Sequence, residues 1–143
     1  ADLSPARAGA YADASQLPRS PADPQMRRLE GSFWCLALGN MAEGGGGNAP
    51  TPDVKAREGA ADLIVCWDRP SLSRWRCLNL FLQMETRQHV FAQEVQVFKT
   101  DKVILWPRGR GHLQLSGQEM PMPPTKEEPV SISVLDGAAT LVY

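Results

Sequence analysis

At 143 residues the chain suits one domain with room for a tail, and its 43% hydrophobic content is enough for a real core. Fifteen basic and sixteen acidic residues nearly cancel, which removes any general argument for nucleic acid or an anionic membrane as partner. No apolar run approaches the roughly 20 residues that span a bilayer, and no signal peptide is legible.

Residues 1–28 are rich in Ala, Pro, Ser, Asp and Arg, and Pro5, Pro18, Pro21 and Pro24 interrupt any helix. Few side chains here suit a core. The segment is expected to be an extended N-terminal arm, disordered alone or ordered on a partner. A β-domain over residues 29–143 follows. Its first strand is Ser32–Leu38 (SFWCLAL), apolar on both faces and therefore expected to be central or covered.

Gly44–Gly47 places four glycines in a row. It lacks the Lys-Ser/Thr and helix start of a phosphate-binding loop, so it reads as a flexible connection. Asp53–Ala60 has room for one helical turn, the only helix expected. Ala61–Trp67 (ADLIVCW) is the next strand. Ser73–Met84 reads as the longest, with Leu78, Leu80, Leu82 and Met84 on one face, and the polar turn Glu85–Gln88 makes a hairpin to His89–Phe98.

Period-two alternation is clearest in the last third. Val95 and Val97, then Val103 and Leu105, Leu113 and Leu115, and Val130, Ile132 and Val134 each skip a residue. Turns are expected at Lys99–Lys102, Pro107–Gly111, Ser116–Gln118 and Asp136-Gly137. The last would join Val130–Leu135 to Ala138–Tyr143. Met120–Pro129, with four prolines, is a loop or an edge-hugging extended segment. Short strands at this spacing predict an all-β fold, an antiparallel sandwich or flattened barrel.

Convergent chemistry is scarce. His89 and His112 have no Cys, Asp or Glu at metal-ligand spacing, and Cys66 and Cys77 lack a CxxC partner, so neither a zinc site nor a cofactor is expected. Three cysteines leave two options open: three reduced, buried thiols, or a Cys66–Cys77 disulfide with Cys35 left over. Arg108 and Arg110 flank Gly109. With Lys99, Lys102 and His112 they are a candidate anion-binding loop for phosphate, nucleic acid or an acidic glycan; the plainer reading is a solvated hairpin tip. Arg69, Arg74 and Arg76 surround Trp67 and Trp75, a pattern for cation–π packing. Trp34, Trp67, Trp75 and Trp106 are expected to fill the core, one of them at an interface.

From Cys77 to Tyr143 the chain resembles the C-terminal half of a von Willebrand factor type D domain. EVQVF, KVILW, the strand–turn–strand LQLSGQEMPMP and the closing PVSISVLDGAATLVY carry the likeness, and SFWCLALG is similar to that family's Cys-x-x-x-Leu-Ala strand, with Cys35 in the cysteine's place. The chain departs from the family in lacking its Gly-Asp-Pro-His opening, its dense cysteines and its calcium loop, so calcium binding does not carry over. The resemblance implies a non-catalytic module of extracellular assemblies. The absence of an Asn-x-Ser/Thr site argues mildly against secretion. The expected function is structural or binding, without catalysis, through a protein partner or a homo-oligomer. A subunit of a capsid, tail or organellar complex is the alternative, and a nucleic-acid partner is not favoured.

Overall fold

A computed structural model gives the fold, describing residues 11–40, 51, 59–108, 111–115, 118–121 and 128–135. Strands dominate and every paired strand runs antiparallel, as the alternation predicts. Among the described residues there are seven: β1 (Phe33–Gly39), β2 (Ala61–Trp67), β3 (Val95–Thr100), β4 (Lys102–Leu105), β5 (Leu113–Leu115), β6 (Gln118–Met120) and β7 (Val130–Ser133). They form a three-stranded sheet in the order β1-β2-β3 and two ribbons, β4-β7 and β5-β6.

The central slot goes to β2, which is hydrogen-bonded on both sides and is the most thoroughly buried of the three strands. Val65 is fully buried, and Ala61, Ile64 and Cys66 are buried with it. Ile64 and Val97, opposite one another across β2 and β3, join Val90 as the core's heart, with Tyr11, Ala37 and Val95 packed around them. The first strand is not central, as its composition suggested, but lies at the sheet's edge. Trp34, Cys35 and Leu36 are exposed there, because β2 is the strand covered on both faces.

The larger correction concerns Ser73–Met84. It is a helix, α1 (Arg74–Leu82), not the longest strand, and it forms no hairpin with the residues after it. The local reasons are plain. Residues 73–85 contain no β-branched side chain, while Arg, Leu, Gln and Met favour helix. Ser73 caps the start: its Oγ accepts the Arg76 N–H at 3.2 Å. Leucines at every second position also satisfy the i, i+4 spacing of a helix, so the two periods cannot be told apart there. Beyond α1, Arg87 sits at φ 61°, and a short 3-10 turn, His89–Phe91, leads into β3.

The N-terminal segment meets the sheet at Tyr11 and Ala12, and residues 18–28 fold back on themselves. Tyr11 bridges to Val97 in parallel sense, and the Ala12 N–H donates to the Val97 carbonyl at 2.8 Å, occupying the outer side of β3. The Tyr11 hydroxyl reaches inward and donates to Asp62 Oδ2 at 2.8 Å. Lys99 Nζ stands 3.0 Å from the other oxygen of that buried carboxylate and 5.3 Å from the centre of the Tyr11 ring. Residues 53–58 of the expected helical turn Asp53–Ala60, the tetraglycine and the Asp136-Gly137 turn lie outside the described residues.

Candidate interaction surface

Helix α1 carries two apolar faces. Inward, it presents Leu80 and Cys77, with Arg76 reaching across to Glu94. That contact is a fork: Arg76 Nε donates to Glu94 Oε1 at 3.1 Å and Nη2 to Oε2 at 2.9 Å. The Glu94 side chain is buried and Arg76 is half-buried. The Arg76 guanidinium holds the Glu94 carboxyl at a pKa of about 2, well below the ordinary range. Glu94 in turn raises the pKa of Arg76. The pair fixes which side of the helix faces the sheet.

With that side fixed, the opposite side is set by the 3.6-residue turn. Trp75, Leu78 and Leu82 fall within about 60° of one another on the helix, and Phe81 lies at their margin. All four are solvent-exposed: Trp75 at 81%, Leu78 at 48%, Phe81 at 54% and Leu82 at 57%. Phe91, beyond the helix, is exposed too. A surface helix of a finished domain normally turns polar residues outward, so these exposed apolar side chains make α1 the candidate interaction surface. Arg74 and Asn79 flank the stripe.

The tryptophans therefore do not fill the core as expected. Trp34, Trp75 and Trp106 are exposed, and Trp67 alone is half-buried. Trp67 stacks at a tilt on Phe33, with ring centres 4.8 Å apart, and its Nε1–H donates to Gln96 Oε1 at 2.8 Å. It forms the wall of a groove of about 690 Å³ that also meets Leu17, Arg19, Arg28, Asp68 and Arg69. Gly31 lets the chain pass against the ring: a Cβ there would come within 2.6 Å of Trp67. The arginine cluster read from the sequence is divided, with Arg69 at this groove and Arg76 held by Glu94.

The tip of the proposed anion-binding loop, Arg108, Arg110 and His112, is described at two residues. Arg108 Nη1 contacts Glu30 Oε1 at 3.2 Å, and the same carboxylate takes Arg28 at 2.6 Å. His112 Nδ1 lies 3.0 Å from Glu119 Oε1. Arg110 lies outside the described residues. Both described side chains thus face a carboxylate of this chain. His89 is buried in its 3-10 turn, whereas His112 is exposed.

All three cysteines are free thiols, so the candidate Cys66–Cys77 bridge is not formed in this structure. Cys66 is buried, Cys77 half-buried and Cys35 exposed. Among the described residues, no group of three His, Cys, Asp or Glu side chains is placed to hold a metal ion, and no helix is long and apolar enough to cross a membrane. No protein-family model matches the chain, and no curated protein or solved structure shows significant similarity to it.

The α1 stripe is hidden in the sequence as long as the leucines read as one face of a strand. The signal was present: Trp75, Leu78 and Leu82 follow i, i+3, i+7 spacing.

Proposed function

We propose that this chain is a non-catalytic binding module that acts by protein–protein contact, with the outer face of α1 as its docking surface. The observation that carries this reading is the exposure of Trp75, Leu78, Phe81 and Leu82 on the helix side opposite the Arg76–Glu94 anchor. The resemblance to a von Willebrand factor type D domain, a module of assemblies, points the same way. β1 adds to the surface. No described strand pairs with its outer side, so its backbone is a template for an incoming strand.

Magnitude limits the strength of such docking. Burying each large apolar side chain is worth about 1.5–3 kcal/mol. Association itself costs about 4–15 kcal/mol. Four such side chains give a gain of the same order as the cost, so the stripe alone supports reversible docking. A second copy of the chain is the first occupant to test, because a net charge of −1 sets up little repulsion between copies.

The test is sedimentation velocity over a concentration series, on the full chain and on Trp75→Ser/Leu78→Ser. The wild type is expected to self-associate reversibly. The double variant is expected to stay monomeric with its melting temperature unchanged. A variant that melts much lower would mean that the stripe is packed within the monomer. A wild type that stays monomeric at all concentrations would exclude the second copy as occupant.

A further inference from the structure

We propose that Cys35 and Cys66 are a disulfide-forming pair, a modification site that under oxidising conditions staples the open edge strand β1 to the sheet's centre. The two residues are directly opposite each other in the antiparallel β1-β2 ladder. Such partners project from the same face, with Cα atoms about 4.5–5.5 Å apart. That separation falls inside the roughly 4.4–6.8 Å window that a disulfide tolerates. The bulge between Phe33 and Cys35 lies on the far side of Cys35 from the regular ladder, which continues from Leu36 to Gly39.

Access and order of events follow from burial. Cys35 is exposed and meets the reagent first; Cys66 is buried behind it. With oxidised glutathione as oxidant, the Cys35 thiolate attacks one glutathione sulfur. The glutathione S–S bond breaks and one glutathione thiol leaves. Cys66 then gives up its proton to solvent and attacks the Cys35 sulfur, closing the protein disulfide and releasing the second glutathione thiol. Two protein thiols are oxidised and one glutathione disulfide is reduced to two thiols.

Partial desolvation by the neighbouring chain pushes the Cys35 thiol up, and burial pushes Cys66 to about 11, helped by the neighbouring Cys35 and Cys77. Both steps therefore quicken as pH rises through 9. Cys77 is a competitor for Cys66, but it is carried on α1 and has no ladder position opposite it. Register, not proximity in the sequence, selects Cys35.

The full chain is incubated with oxidised glutathione at pH 8.5, alkylated, and mapped by peptide mass spectrometry without reduction. Free thiols are expected to fall from three to one, with the label on Cys77 and a linked peptide joining Cys35 to Cys66. Cys77→Ser is expected to keep the bridge. Cys35→Ser, an exposed change that leaves the core intact, is expected to remove it. The oxidised chain should melt several degrees higher than the reduced one. Three labelled cysteines, a lasting glutathione adduct on Cys35 with Cys66 still free, or a Cys66–Cys77 linkage would each overturn the assignment. An oxidised form that melts lower would overturn the stapling.

Discussion

Glu94 is a fully buried carboxylate whose charge is held chiefly by Arg76, in a two-bond fork, with Gln93 and its own backbone contributing less. Removing Arg76 takes away the main partner of a buried charge, so Arg76→Ala is expected to cost about 3–5 kcal/mol of stability, read as a lower urea midpoint. The same fork makes stability depend on pH. Glu94 ionises near 4.5 in the unfolded chain and at about 2 when folded. Its contribution is therefore complete above about pH 4.5 and is lost as pH falls from there through 2. Urea midpoints measured between pH 7 and pH 2.5 should decline over that interval, and the decline should be shallower in Glu94→Gln. None of this was visible in the sequence. Glu94 stood there as a polar residue at the start of an alternating strand. Its partner lies 18 residues earlier in a segment read as another strand, and pairing at that range depends on which way a helix turns.

At the scale of elements, α1 begins where Ser73 meets the Arg76 N–H. Ser73→Ala is expected to cost about 1 kcal/mol and to lower helical ellipticity without changing the strand signal. The strands themselves were largely legible. β3, β4, β5 and β7 fall where apolar residues skip one position between turn-forming residues, because a strand's two faces write themselves directly into the chain, and β2 falls on the short apolar run Leu63–Trp67. The helix was not, because Leu78, Leu80 and Leu82 satisfy a strand and a helix equally; the missing Val, Ile and Thr was the arbiter. The docking stripe shared that fate, since a residue's direction follows from its element. The edge position of β1 was also hidden. Apolar composition reports that a strand has something to cover, not whether a neighbouring strand or another protein covers it.

For the molecule as a whole, the three-stranded sheet has unequal edges. Tyr11 and Ala12 occupy the outer side of β3, whereas no described strand pairs with the outer side of β1. Deleting residues 1–12 removes the Val97 contacts and the Tyr11 hydroxyl bond to Asp62 together. The truncated chain is expected to melt lower and to aggregate with concentration, measured by calorimetry and light scattering, since it would offer strand templates on both sides. Unchanged melting and scattering would show the segment to be dispensable. Composition could not foretell this docking: a Pro-rich stretch has few core side chains, yet one tyrosine with the right neighbour is enough to place it.

Asp101 alone separates β3 from β4, although the two strands belong to different sheets. Thr100 fastens the corner, its hydroxyl donating to the Lys102 carbonyl at 2.8 Å and accepting the Lys102 N–H at 3.2 Å, while the Asp101 carbonyl accepts from Val134 at 2.8 Å. Such a joint has no slack. Lys99, which holds the buried Asp62 carboxylate, stands only three residues before β4 begins, so the corner ties the ribbon closely in sequence to the sheet's buried ion pair.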